Sequence, residues 1–267
     1  MFKKMLGACV IGLCIVVSTH SALAQDATAA GTYNEGLALL KSKDYENGLV
    51  KMEEALALAE ADENEQIIGL AKKNGAVAAY NLGNTKRKAG DHEGAIALYN
   101  KGIGMNPSYS SNYEGIGRSQ EAQGEKLEAV KSFVMAAQKA TEEGKEDRAK
   151  SRYKKAQVLI GKTYVGKDYD TALAMAQAFN ESGEANPEVY YYMSRALGAQ
   201  SNYGEAIPAM RKAVELKGDS VPDKYTFYLA EQLEKTGANA EAAALYKTIT
   251  DEKYKKQAVY RAGELEK

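Results

Sequence analysis

The chain has 267 residues, with 35 lysines and arginines against 36 aspartates and glutamates, no tryptophan, four prolines and two cysteines. The formal charge is −1, and lysines and glutamates alternate along the same segments instead of gathering into a basic stripe, so no nucleic-acid partner is expected. Plentiful alanine, leucine, lysine and glutamate with scarce proline make this a helical composition.

The first 24 residues read as a secretory signal peptide: Lys3 and Lys4, the apolar run Met5 to Val17, and a small-x-small end at Ala22, Leu23 and Ala24. As a helix the run reaches about 20 Å, short of a hydrocarbon core of about 30 Å. Cleavage after Ala24 is therefore expected, with Gln25 as the new amino terminus, a periplasmic or secreted location, and no transmembrane segment in the mature chain. Both cysteines, Cys9 and Cys14, fall inside this segment, so the mature chain holds no thiol and its stability rests on packing. Leu6-Gly7-Ala8-Cys9 resembles a lipoprotein processing box but leaves almost no apolar run before the cut, and Leu13 is too large for a box at Cys14. Ordinary signal-peptide cysteines are the expectation.

Beyond residue 28 a fixed period governs the chain. Its strictest copy runs through Ala79-Tyr80-Asn81-Leu82-Gly83, Gly90-Asp91-His92-Glu93-Gly94-Ala95, Tyr99, Gly102 and Pro107. One period later stand Tyr113, Ile116, Gly117, Gly124, Ala129, Phe133 and Ala136. The frame recurs upstream around Gly36, Lys43-Asp44-Tyr45, Met52 and Ala55. Downstream it recurs around Lys167-Asp168-Tyr169 with Ala172, Asn202-Tyr203 with Ala206, and Gly237 with Ala242. These residues resemble the tetratricopeptide repeat almost position for position.

The resemblance implies an all-α fold, an α-solenoid wound as a right-handed superhelix of about six helix-turn-helix units. They lie near residues 29–62, 76–109, 110–143, 153–186, 187–220 and 223–256, with a capping helix at 256–267. Residues 25–267 are expected to form one such domain. Small residues recur where two helices must approach: Gly36, Gly83, Gly117, Ser194 and Ala230 on first helices, Ala95, Ala129, Ala172, Ala206 and Ala242 on second helices. A mid-helix glycine costs up to about 1 kcal/mol against alanine, so its recurrence at one place points to close packing. Met52, Tyr99, Phe133, Met210 and Tyr246 fill the space between units. Ile160 takes the small-residue place of the fourth unit, which makes that unit the expected soft point. Extra residues near 63–75 and 144–152 lack proline and read as lengthened helices.

No catalytic chemistry is legible. The mature chain has one histidine, His92, at a place other units give to tyrosine, and no cysteine. No phosphate-binding glycine loop, HExxH motif or calcium loop occurs, so no metal, no cofactor and no enzymatic activity are expected. Asn180-Glu181-Ser182 fits a glycosylation acceptor.

In the repeat family, first helices line a concave groove. Helical spacing places Tyr80, Asn84 and Arg87 together on one face of the second unit. Glu114, Arg118 and Glu121 share a face in the third, Tyr191 and Arg195 in the fifth, and Phe227, Glu231 and Glu234 in the sixth. Asn84 resembles one element of the clamp by which some cytosolic family members grip chaperone tails, but Glu114 and Gly115 stand where its partners belong, so that function is not expected. The expectation is an exported scaffold or adaptor that docks a protein or peptide partner in its groove, with a cell-envelope complex as the setting. The alternative is a glycan- or small-ligand-binding module of a surface uptake system, using tyrosines as stacking platforms.

Overall fold

The computed structural model describes residues 27–267; the proposed signal segment lies outside them. Thirteen α-helices and no strand occur among the described residues, and no helix there is long and apolar enough to cross a membrane. Twelve helices form six consecutive antiparallel pairs: α1 (Ala29–Lys41) with α2 (Tyr45–Ala61), α3 (Glu65–Lys88) with α4 (His92–Met105), and α5 (Ser110–Gln123) with α6 (Lys126–Glu142). Then follow α7 (Glu146–Val165) with α8 (Tyr169–Asn180), α9 (Pro187–Ala199) with α10 (Tyr203–Lys217), and α11 (Asp223–Lys235) with α12 (Asn239–Lys247). Helix α13 (Glu252–Leu265) closes the stack. The extra residues of the second and fourth units are helical for the most part, giving α3 24 residues and α7 20.

One turn device serves all six pairs. A residue in the left-handed region ends the first helix: Lys43, Gly90, Gly124, Lys167, Ser201 or Gly237. The next residue caps the second helix, and in three cases it is an aspartate. Asp44, Asp91 and Asp168 accept the backbone N–H of Asn47, Gly94 and Thr171, satisfying a donor the helix leaves unpaired. Between the fourth and fifth units Asn186 caps α9, with Pro187 at its first position, where the missing N–H costs nothing.

The recurrent small residues lie at the helix crossings. A side chain on Gly83 would sit 2.6 Å from the Tyr99 ring, one on Gly117 2.9 Å from Phe133, and one on Gly36 3.0 Å from Met52. Ala95, Ala129, Ala206 and Ala242 are wholly inaccessible to solvent. In the fifth pair, Ser194 Oγ donates to the carbonyl of Ala206 at 2.6 Å, a direct tie between the two small positions, and Gln232 of α11 donates to Ser194 in turn.

Successive first helices touch one another, α1 with α3, α3 with α5, α7 with α9 and α9 with α11, while most second helices do not, so the stack curves with the first helices inside. The pattern breaks between the third and fourth units. There α6 reaches α8, a contact between second helices seen at no other junction, and α5 and α7 stand apart. The α7–α8 pair is also the most open of the six. Ile160 is the local cause: its fully buried branched side chain fills the place where other first helices have a small residue. The small residue is displaced by one to Gly161, where an added carbon would lie 2.8 Å from Tyr192 of α9. Close approach is thus transferred from within the fourth unit to its contact with the fifth.

Candidate functional site

The separation of α5 from α7 leaves two clefts on the inner face. The first, of about 400 Å³, is lined by Tyr80 of α3, Tyr109, Ser111 and Glu114 at the start of α5, and Asp147, Arg148, Ser151 and Arg152 of α7. The second, of about 410 Å³, lies one turn further along between Arg118, Glu121, Phe133, Lys154, Lys155 and Val158. Tyr80 meets Tyr109 edge to face with ring centres 5.9 Å apart, and Tyr99 at 6.0 Å, which fixes the aromatic wall of the first cleft.

Glu114 bridges the gap. Its carboxylate accepts from Arg118 on its own helix at 2.7 Å and from Arg152 Nε on α7 at 3.0 Å, and it is also paired with Lys155. Burial alone pushes this carboxyl upward. Hydrogen bonds from Lys155 and Arg118, with the charges of Lys155 and Arg152, outweigh it and hold the group down at about 2. Three cations share one carboxylate, so the cluster keeps a positive excess. Arg152 is 3% exposed, and its Nη1 meets no partner among the described residues.

The residues expected to line one groove separate into three situations. Tyr80, Glu114, Arg118 and Glu121 are brought to the paired clefts. Asn84 lies one turn from Tyr80 with its carbonyl oxygen accepting from Tyr99 Oη at 3.0 Å, and Arg87 is half-buried in the last turn of α3. Arg195 and Glu231 line a separate cleft of about 270 Å³ between α7, α9 and α11. Arg195 lies 3.4 Å from the Tyr228 ring centre and donates to Tyr191 Oη at 3.1 Å. Its partners are tyrosines, and among the described residues it pairs with no carboxylate.

Two groove assignments are corrected. Tyr191 is 8% exposed, its ring packed on Tyr192, Tyr225 and Tyr228; Phe227 is 3% exposed, between Tyr228, Tyr246 and Tyr254. Both are core residues, because neighbouring aromatic rings cover the helix face that spacing alone assigns to the groove. Glu231 and Glu234 are drawn to Arg261 of α13, at 3.6 and 2.9 Å, and anchor the closing helix. Glu114, although it lines the cleft, spends its carboxylate on internal partners. Asn180 ends α8 with its amide nitrogen 3.4 Å from Met193 Sδ, a packed position unlike that of a glycan acceptor.

The main residues missed in sequence are those of α7. Its sequence EDRAKSRYKKAQVLIGKTYV carries six cations and two carboxylates, and this local excess was the available signal.

Two family models of the tetratricopeptide repeat match the chain, one over residues 76–109 and one over residues 191–255. These segments are tetratricopeptide repeats. They cover the second half of α3 with α4, and the run from within α9 to the start of α13; the same pair-and-turn geometry continues through the other units, making the fold an α-solenoid of tetratricopeptide-like units. No curated protein matches the chain. Solved structures with a similar helical stack include a MamA protein, at 18% identity over 72% of this chain and 91% of that one, with a TM-score of 0.39. The yeast Sti1 TPR2AB domain in its pHSP90 complex is similar at 13% identity over 90% and 98%, with a TM-score of 0.38. YrrB, described as a TPR protein with an unusual peptide-binding site, is similar at 15% over 71% and 86%, with a TM-score of 0.37. Superpositions this loose transfer no functional residue.

Proposed function

We propose that this protein is an exported scaffold or adaptor of a cell-envelope assembly, holding a protein segment on the concave face between α3, α5 and α7. The observation that carries the reading is the gap between α5 and α7. An unbroken solenoid would pack first helix on first helix, whereas this one opens two adjoining clefts walled by Tyr80, Tyr109, Phe133 and arginines. Tyrosine and arginine supply large contact area with directed hydrogen bonds, the composition of binding hot spots. The open cleft suits an elongated chain better than a closed reaction chamber. Export rests on the layout of residues 1–24.

The test replaces Tyr80 and Arg118 together by alanine in the full chain and measures co-purification of partners from its native envelope, with circular dichroism as the folding control. Recovery should fall with helical content unchanged. Undiminished recovery by a folded variant contradicts the site. Amino-terminal sequencing of the protein from the periplasmic fraction should begin at Gln25; retention of residues 1–24 in the cytoplasm contradicts export.

A further inference from the structure

Helix α7 exposes a continuous stripe toward the concave side. Arg148, Ser151, Lys154, Val158, Lys162 and Val165 follow at intervals of three and four, so they share one face over about 26 Å of helix. Val158 is 40% exposed and Val165 72%, two of only six large apolar side chains so exposed among the described residues. Clefts flank the stripe on both sides: the one walled by Phe133 and Leu159, and another of about 550 Å³ walled by Gly161 and Tyr192.

The cations of this stripe are available. Among the described residues, Arg148, Lys154 and Lys162 come within 4 Å of no carboxylate, whereas most lysines of second helices are paired with a neighbour three residues away or on an adjoining unit. Of the carboxylates nearby, Glu114 is already held by three cations, and Glu188 by Lys217 at 3.3 Å and Lys224 at 3.2 Å; Asp147 and Glu121 line the two inner clefts without coming within 4 Å of these three cations, which still outnumber them. The surface therefore alternates unspent positive charge with apolar side chains beside open clefts. Its complement is a segment that alternates acidic and apolar residues with the same helical spacing. A simple polyanion would leave the valines and the Phe133 and Tyr192 walls unused.

We infer that the segment held by this protein is an acidic amphipathic stretch of a partner protein, lying along α7 with its carboxylates on Arg148, Lys154 and Lys162 and its apolar side chains over Val158 and Val165. This deepens the docking function proposed above and rests on it.

The experiment titrates the purified full chain, by fluorescence anisotropy, with a labelled synthetic peptide of about 18 residues carrying glutamate and leucine at helical spacing, long enough to follow the stripe. The comparison probes are the same peptide with serine for leucine, and heparin. The leucine peptide should bind saturably, and Lys154→Glu with Lys162→Glu should weaken it by about tenfold or more, as should Val158→Ser with Val165→Ser. Circular dichroism verifies the fold of each variant. Unchanged affinity in either folded variant overturns the inference, as does equal binding of the serine peptide or heparin, which would mark a generic polyanion surface. If the α7 variants leave partner recovery intact while the Tyr80 and Arg118 variant abolishes it, docking stands and this placement falls; if neither affects it, both fall.

Discussion

The Glu114 carboxylate on α5 accepts a 3.0 Å hydrogen bond from Nε of Arg152, an almost fully buried arginine on α7. This pair spans the one place where successive first helices part, and it replaces backbone packing by charge. A buried pair of this kind contributes little against an apolar substitute, yet removing one member strands the other.

Glu114→Gln should therefore destabilise the protein near neutral pH by about 1–2 kcal/mol, less than a fully buried pair would lose because Arg118 and Lys155 are partly exposed and solvent screens them. The folded group titrates lower than the unfolded one, so its contribution is complete above about pH 4.5 and is lost as pH falls toward 2. Urea denaturation of both proteins across this range should show the gap narrowing in acid. A gap independent of pH contradicts the role given to the carboxylate.

Tyr99 is wedged between two glycines of different units. A carbon added to Gly115 would lie 2.5 Å from the ring, whose other side is pressed on Gly83. Gly115→Ala is expected to cost about 2 kcal/mol through overpacking. Gly104→Ala on the same stack meets nothing within 4 Å and should stabilise by up to about 1 kcal/mol. Thermal midpoints moving in the same direction would refute the wedge.

Arg195 stacks on Tyr228 at 3.4 Å without a carboxylate partner, so its planarity matters more than its charge. Arg195→Lys should lower stability by about 1 kcal/mol. Denaturant midpoints equal within error would show that the stack contributes nothing.

The repeat was legible because its signal is a fixed recurrence of small residues, and each lies at a helix crossing that a larger side chain would obstruct. The failure at Tyr191 and Phe227 has a definite cause. Helical spacing tells which residues share a face, but not that Tyr225, Tyr228 and Tyr254 from other helices cover it. The basic stripe on α7 was hidden by a whole-chain charge of −1, an average that conceals one helix with six cations and two carboxylates. The gap between α5 and α7 is a tertiary event with no signal in the spacing; Ile160 in a small residue's place pointed only to the loosening of the α7–α8 pair.

That loosening has a dynamic consequence. With the α7–α8 pair the most open of the six, α8 should exchange its amide hydrogens sooner than α6 and α10, the second helices on either side. Hydrogen-exchange mass spectrometry that finds α8 as protected as both would remove the fourth unit as the soft point of the stack.

The central claim, that a partner lies on the concave face at α5 and α7, is tested most directly by a photo-crosslinking side chain placed in living cells, at Arg118 in one strain and at Lys131 on the outward side of α6 in another. Arg118 should yield one recurrent crosslinked protein, and Lys131 none of it. Equal capture from both positions, or capture from Lys131 alone, would contradict it.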